Sequence, residues 1–311
     1  MTNYVQGLSA DCSPADHFRA WAQFIEDSLV MGGWIVTNDT GQTKPQDLQV
    51  PTAGQQKKGF RIYQMNDDLQ AEAPVYMRLD FGSGFSNFGT PYSPSVWITL
   101  GGGTNTIGDI TNVWLNSAYV ESHQASGVSD CYASVDKGRC AFGMFVGPVP
   151  GNTNAGSFAF SVERWKDELG KDIDEGLLVV YTSRRSVQGN VQICLSYSPT
   201  CYFEVPLQRQ QPIDVGLNFV HTTSDPSPTH FGDRGVGVLF HFFGIALQPG
   251  KNWVICNATD TAGPILLVTM YDELIPYLAV NLIPTVAAIG PAGFGASEIG
   301  DTFRKVLMRY D

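Results

Sequence analysis

A helix-spaced row of apolar side chains near the start of the chain predicts an amphipathic helix over residues 14–31. The members of the row recur at the three- and four-residue intervals of one helical face: Phe18, Trp21, Ala22, Ile25 and Leu29. We expect this face to pack against two strands predicted further along the chain, at 60–65 and 75–81. The aromatic members of the row are ordinary core material.

Both ends of the predicted helix carry recognisable signals. Ser13 fits the N-cap position, Pro14 the first helical position and Asp16 the acidic first turn. Gly32 and Gly33 follow the last apolar position, and glycine there commonly ends a helix in a left-handed conformation.

Strict alternation over 75–81 predicts a half-buried strand. Val75, Met77, Leu79 and Phe81 alternate with polar or larger residues that face the other way. Further strands are predicted at 34–37, 60–65, 96–100, 110–115, 142–146, 157–162, 177–182, 191–195, 202–205, 236–246, 253–257 and 265–271.

Four segments are predicted not to be strands. Residues 66–73 begin with helix-capping side chains and predict one or two helical turns before Pro74. The charge-dense segment 163–176 predicts a solvated helix or a protruding loop, and the Gly/Pro-rich segment 222–235 predicts a long loop. Residues 297–309 predict a short helix that places Ile299, Phe303, Val306 and Leu307 on one face.

Together these elements predict an α+β fold of predominantly antiparallel β-structure, sandwich-like, with an N-terminal amphipathic helix. The best boundary lies near residue 155. It divides the chain into an N-terminal helix-plus-sheet unit, 1–155, and a β-rich C-terminal unit, 156–311. The boundary is soft, and a single domain is the alternative.

One uncharged stretch, residues 274–296, is long enough to cross a bilayer. It contains Pro276, Pro284 and Pro291, and prolines remove backbone hydrogen bonds that lipid cannot replace. We therefore expect an irregular segment that is buried or faces another subunit, and no contact with a membrane. The first residues have neither a basic region nor an apolar core, so no secretory signal is expected.

Composition adds a view of the surface. Charged residues are only 16% of the 311 residues, while 33 are glycine and 12% are aromatic. Such a chain has little charge with which to cover its exterior, which suggests surfaces buried against other chains. The net charge of −11 and the absence of basic runs argue against direct binding of nucleic acid and against docking on anionic lipid.

The six cysteines show no zinc-binding spacing, and without a secretory signal we expect reduced, buried thiols. One alternative stays open. A two-residue hairpin turn at Tyr197 and Ser198 would place Cys194 opposite Cys201, close enough for a disulfide bond.

No familiar catalytic motif occurs. The glycine-rich segments 101–108 and 290–295 lack a phosphate-loop lysine and are expected to be turns. The five histidines have no metal-ligand spacing, and His241 is expected in a core or interface. The strongest alternative for chemistry is the predicted loop at 222–235 with its border, which holds His221, Asp225, His230, Asp233 and Arg234. Paired carboxylates such as Asp225 and Asp233 could act on glycosides at suitable separations. We nevertheless predict no catalytic, cofactor-binding or metal site, no cofactor and no enzyme activity.

About a third of the chain resembles a set of bacteriophage virion proteins that share a "FRAW … DTGQ … LQ…APV…GSG" order. The matching segments are 18–21, 33–42, 59–70, 73–84 and 97–104. The resemblance transfers no catalytic residue and covers none of the last two thirds.

The resemblance implies a structural component of a phage particle, most of all a tail, baseplate or fibre-attachment subunit. A capsid decoration protein, or a tail module that binds or depolymerises host glycans, is the alternative. The expected partners are other virion proteins and further copies of this chain. The expected location is the virion, after synthesis in the host cytoplasm.

Overall fold

The computed structural model describes residues 2–84, 93–121, 128–144, 158–166, 172–184 and 189–195, and strand segments at 202–206, 220–221, 236–238, 253–256, 265–270, 273–281 and 305–309. In these segments one helix, α1 (Ala15–Met31), accompanies antiparallel strands arranged in sheets of five, seven and six strands. The fold is therefore α+β, β-rich and sandwich-like, as the sequence predicts. No helix in these segments is long and apolar enough to span a membrane.

The five-stranded sheet has the strand order β2–β3–β4–β5–β6. Its strands follow one another in sequence as antiparallel neighbours: β2 (Ile35–Val36), β3 (Lys57–Gln64), β4 (Tyr76–Ser83), β5 (Pro94–Thr104) and β6 (Ile110–Glu121). A single 3-10 turn, Pro45–Asp47, interrupts the long connection between β2 and β3. All four strands predicted over 34–100 are confirmed.

The seven-stranded sheet begins with a strand that the sequence did not predict. Its order is β1–β7–β8–β9–β10–β11–β12. The strands are β1 (Thr2–Ser9), β7 (Val128–Asp136), β8 (Arg139–Met144), β9 (Phe158–Lys166), β10 (Asp172–Arg184), β11 (Gly189–Leu195) and β12 (Tyr202–Pro206). The predicted boundary near residue 155 falls between β8 and β9, which pair with each other. The division into two domains stays a prediction.

The six-stranded sheet is described at the level of its backbone. Its order is β13–β14–β15–β18–β17–β16. The strands are β13 (Val220–His221), β14 (Val236–Val238), β15 (Trp253–Cys256), β16 (Ile265–Met270), β17 (Glu273–Asn281) and β18 (Lys305–Arg309). The predicted strands at 253–257 and 265–271 are confirmed, and the one at 236–246 is confirmed over β14.

The helix α1 forms where the sequence predicts it and ends as predicted. Gly33, at φ +103°, takes the left-handed conformation. Its N–H donates to the Val30 carbonyl, and the N–H of Trp34 donates to the Leu29 carbonyl, the two bonds of a Schellman motif. The N-cap is Pro14 rather than Ser13: the carbonyl of Pro14 accepts the first helical bond, from Phe18, and no side chain caps the helix.

The helix lies in one core that both of the first two sheets share. The Trp21 ring meets Phe81 of β4 edge-on at 5.6 Å and Phe158 of β9 at 5.8 Å, between ring centroids. Its Nε1 donates to the Met144 sulfur at 2.9 Å. On the other side, Glu26 accepts two hydrogen bonds from Arg61, at 2.6 and 3.1 Å. The expected packing on β3 and β4 is present, and contact with the seven-stranded sheet is added to it.

Several predicted elements are wrong. The charge-dense segment is neither helix nor loop at its ends, because β9 runs to Lys166 and β10 starts at Asp172. Glu163 and Arg164 are buried. The segment 66–73 forms consecutive hydrogen-bonded turns, in which the N–H of Gln70 donates to the Asp67 carbonyl and that of Ala73 to the Leu69 carbonyl, rather than a regular helix. The helix predicted at 297–309 is contradicted over 305–309, where β18 pairs with β15 and β17, and residues 297–304 lie outside the described residues.

The uncharged stretch 274–296 is likewise more regular than predicted, because β17 occupies its first residues. Pro276 pairs with Leu267 of β16, whereas the pairing of β17 with β18 starts one residue later, at Tyr277. A proline without an N–H is tolerated where a strand is paired on one side only. The rest of the stretch lies outside the described residues.

The predicted pair of cysteines falls partly outside the described residues. Cys194 of β11 pairs with Tyr202 of β12, and Cys201 lies outside the described residues, so the disulfide stays a prediction. Cys12 and Cys140 are buried free thiols, and Cys131 is buried as well.

Candidate functional site

The outer face of the five-stranded sheet carries an aromatic and charged cluster. Asp80 on β4 pairs with Trp97 on β5, and Trp97 pairs with Tyr119 on β6. Directly opposed residues of antiparallel strands point to the same face. Their neighbours in sequence point inward to the core, so this row stands on the side of the sheet that faces away from α1. We call Trp97, Tyr119, Asp80, Lys57 and Glu121 the Trp97 cluster.

Two partly exposed aromatic rings form the centre of the cluster. The ring centroids of Trp97 and Tyr119 lie 4.9 Å apart, with the planes tilted by 33°. The Nζ of Lys57, on β3, lies 5.3 Å from the centroid of the Trp97 ring, within cation–π range. Lys57, Trp97 and Tyr119 thus form a row across the sheet.

A glycine makes room for the indole. A Cβ at Gly82 would lie 2.7 Å from Cζ3 of Trp97 and 2.1 Å from the carbonyl oxygen of Gln56. Neither distance is tolerable for a carbon atom, so the Trp97 ring lies over a position at which the sheet has no side chain.

The charges of the cluster are balanced. Asp80 accepts from Lys57 at 3.4 Å and from Arg78 at 2.8 Å. Arg78 also donates to the carbonyl of Gly108 at 2.6 Å and lies 3.8 Å from the centroid of the Phe60 ring. Lys57 and Arg78 stand against two carboxylates, Asp80 and Glu121, so the outer face carries no strong field of either sign at this point.

A buried polar pocket adjoins the aromatic rings. Tyr119 donates to Oε2 of Glu121 at 2.6 Å, and Glu121 pairs across the strands with Ser95. Both Glu121 and Ser95 are buried, and Oγ of Ser95 has no hydrogen-bond partner. A Cβ at Gly84 would lie within 3 Å of the side-chain oxygens of Ser93, Ser95 and Glu121. This end of the sheet therefore gathers hydroxyl and carboxylate oxygens around a glycine.

The face that Tyr119 and Glu121 occupy depends on an irregularity in β6. Leu115 points into the core, and plain alternation would send residue 119 the same way. The register between β5 and β6 shifts after Ile98, and Ser117 takes φ +53°. This bulge turns Ala118 and Val120 inward and brings Tyr119 to the outer face.

The residues singled out from the sequence do not form this site. Asp225, His230, Asp233, Arg234 and His241 lie outside the described residues. His221 is described only as a backbone position of β13, paired with Gly237. Within the described part of the chain, no group of three or more His, Cys, Asp or Glu side chains could hold a metal ion.

The first glycine-rich segment forms the predicted turn only over its second half, 105–108, which connects β5 to β6. Residues 101–103 belong to β5 and pair with β6. A Cβ at Gly101 would lie 2.5 Å from Cγ2 of Ile110 and from the carbonyl oxygen of Thr111. The glycines thus permit close approach of two strands. The second segment, 290–295, lies outside the described residues.

Sequence reasoning named Trp97 only as part of a predicted strand and did not single out the other members of the Trp97 cluster. The strand predicted at 110–115 stops short of Tyr119 and Glu121, which lie at the far end of β6. The usable signal was the polar side of the strands at 75–81 and 96–100, where Asp80 and Trp97 alternate with buried apolar residues. In comparisons with known proteins, the chain matches no protein-family model, no curated protein and no solved structure.

Proposed function

We propose that the protein is a structural component of a bacteriophage particle, in the tail, baseplate or fibre-attachment region. The resemblance of residues 18–104 to virion proteins supports this proposal, and so does the low fraction of charged residues. The proposed partners are other virion proteins and further copies of this chain, and the proposed location is the virion. A capsid decoration protein is the alternative within the same class.

The observation that carries the proposal is the role of the buried charges. Arg61 and Glu26 join β3 to α1, and Arg164 and Asp67 join β9 to the turn after β3. Both pairs link elements of the shared core. The side chains of Arg61, Glu26 and Asp67 are 12%, 14% and 10% exposed, and that of Arg164 is fully buried. Charged groups placed in this way fix the relative positions of elements, which suits a protein whose task is to hold a shape.

The test is whether the protein is present in mature particles. Particles purified by density gradient and analysed by mass spectrometry should contain the chain at a constant copy number relative to the major capsid protein. Immunogold labelling should then place it at the tail end. Its removal from particles by a high-salt wash that leaves the known structural proteins in place would contradict the proposal.

The Trp97 cluster favours one second function, recognition of a host glycan. Sugar rings have apolar C–H faces that stack on aromatic rings, and hydroxyl groups that form hydrogen bonds. Trp97 and Tyr119 supply the first kind of contact. The Asp80 carboxylate is buried and already held by Lys57 and Arg78, so the polar contact at this surface comes from Nζ of Lys57, whose side chain is 43% exposed and can donate to a sugar hydroxyl. The balanced charge of the cluster suits a neutral polar ligand.

A glycan array with the purified protein tests this second function. Trp97→Ala should abolish any binding that is found, whereas Trp97→Phe should retain part of it because an aromatic face remains. Ile107→Ala, on the exposed tip between β5 and β6, is the control and should bind as the unaltered protein does. Equal binding by the Trp97→Ala variant would exclude the cluster as the site.

A further inference from the structure

The strand β1 forms an exposed edge of the seven-stranded sheet. Among the described strands it pairs only with β7, over eight consecutive residues from Thr2 to Ser9, with no shift of register. Tyr4 and Leu8 face the core. On the opposite face of the strand, Val5 is 53% exposed.

The sequence and register of this edge carry none of four common protections against pairing with another strand. Proteins commonly protect edge strands with charged side chains, proline, a bulge or short length. The segment Thr2–Ser9 contains no charged residue and no proline, and its unbroken register leaves no bulge. The N–H and C=O groups that point away from β7 therefore lie along a straight, uncharged strand of eight residues.

The other described edge strands of the five-stranded and seven-stranded sheets carry such protections. The strand β2 has only two residues. The strand β6 is bulged and carries positive φ angles at Asn112 and Ser117. The strand β12 includes Glu204 and ends at Pro206. Among the described edges of the sheets that share the core, β1 alone is long, straight and uncharged.

We propose that β1 pairs antiparallel with the β1 strand of a second copy of this chain, so that one sheet continues across two copies. Two identical edges related by a two-fold axis match each other without further adaptation, and the contact closes as a dimer. The chain carries a net charge of −11, yet the uncharged strand lets two copies approach at this edge without like charges in opposition. A basic peptide would find no charged side chain on β1 to select it.

Side chains beside the edge support the same partner. Val5 and Gly7 point to one face, and a Cβ at Gly7 would lie 3.7 Å from the side chain of Val128. Val128 itself is 74% exposed. Antiparallel pairing centred near Val5 brings the two copies of Val5 together, and valine pairs across strands are favourable. The edge thus offers hydrogen bonds and an apolar contact at once.

This inference rests on the proposed structural function, because it names the contact through which the particle protein associates with itself. Sedimentation velocity of the purified full chain at tens of micromolar should show a dimer. Val5→Lys should convert it to a monomer, since two ammonium groups would meet at the centre of the contact. Ile107→Lys adds the same charge at an apolar side chain that is 67% exposed and lies on no edge, and it should remain dimeric.

A monomeric unaltered protein, or a Val5→Lys variant that stays dimeric, would overturn the inference. Circular dichroism and thermal unfolding of both lysine variants establish that each is folded. Since this experiment uses the purified chain, its outcome is independent of whether the protein is found in particles. A monomer that is present in particles would overturn only the dimer, and a dimer that is absent from particles would overturn only the proposed function.

Disulfide trapping gives a second measurement. Val5→Cys should form a covalent dimer under mild oxidation, because the two introduced thiols lie next to each other across the two-fold axis. Ile107→Cys and the unaltered protein, which has six cysteines of its own, set the background. Trapping of Val5→Cys no faster than that of Ile107→Cys would contradict the pairing.

Discussion

Arg164 of β9 holds both carboxylate oxygens of Asp67, in the turn after β3, with its Nε on Oδ2 and its Nη2 on Oδ1. The Arg164 side chain has no exposed surface, and that of Asp67 is 10% exposed. The same Nη2 donates to the carbonyl of Ala73 at 2.9 Å. One guanidinium group therefore fastens a turn of the five-stranded sheet to the seven-stranded sheet.

Removal of this cation is expected to be severely destabilising. Arg164→Met should lower the free energy of unfolding by about 3–5 kcal/mol, because Asp67 is left as a mostly buried charge without its partner. Urea denaturation measures the change. Lys57→Met is the control, since it breaks the pair between a half-exposed lysine and Asp80, and it should cost less than about 1 kcal/mol.

The double variant Arg164→Met/Asp67→Leu separates the pair from its surroundings. Removal of both charges should restore part of the stability that Arg164→Met loses, because no uncompensated charge remains. Losses that simply add up in the double variant would mean that the two side chains act independently.

Trp21 is expected to be the most sensitive position of α1. Trp21→Ala should lower the free energy of unfolding by about 3–5 kcal/mol, because it leaves a cavity between the rings of Phe81 and Phe158. Val30→Ala, at a largely exposed position of the same helix, should change it by less than about 0.5 kcal/mol. A loss below about 1 kcal/mol for Trp21→Ala would show that the core can close around the smaller side chain.

Gly33 is expected to resist substitution because of its backbone angle. At φ +103° a side chain is strained, and Gly33→Ala should cost about 1–2 kcal/mol in thermal or urea unfolding. Gly7→Ala is the control. Its φ is not in the left-handed region and its nearest neighbour, the Val128 side chain, lies at 3.7 Å, so little change is expected.

The thiols of Cys12 and Cys140 are expected to be inert while the protein is folded. Burial raises the pKa of both groups, and the thiolate is the form that reacts. Iodoacetamide at pH 8, followed by peptide mapping, should label these two residues in urea and leave them unlabelled in native buffer. Labelling of Cys12 at equal rates in both conditions would contradict its burial.

Tyr63 makes the stability of the protein sensitive to alkaline pH. Burial, and next the charge of Glu26, raise the pKa of its hydroxyl well above the ordinary value of 10.0. The unfolded chain then ionises first, so the stabilisation is complete below about pH 10 and is lost as the pH rises beyond it. Tyr63→Phe should show a shallower fall of unfolding free energy over this range. An unchanged slope would assign the alkaline effect to other groups.

Regular patterns in the sequence predicted the regular parts of this fold. Strict alternation identified β4, and the apolar row with its glycine end identified α1. Both signals arise because one face meets the core and the other meets water. The strand β1 gives no such signal: only Tyr4 and Leu8 of its eight residues face the core, so polar residues dominate it.

The remaining errors come from tertiary contacts. Arg164 looks like a surface residue in a charged run, and acceptors distant in sequence, the carboxylate of Asp67 and the carbonyl of Ala73, allow it to be buried. Tyr119 was beyond prediction for a different reason, because the bulge at Ser117 reverses the alternation of β6. The predicted helix at the chain end shares its apolar spacing with β18, where pairing with β15 and β17 decides the conformation.

The pairing of β1 with β7 also sets the order in which the molecule can assemble during synthesis. The strand β1 is made before its partner β7 by the length of all five strands of the next sheet. Neighbouring strands such as β3, β4 and β5 need only short loops to meet, and the closure of long loops is slower. The nascent chain can therefore complete its five-stranded sheet while β1 is still unpaired, and β1 joins the core only after β7 has been made.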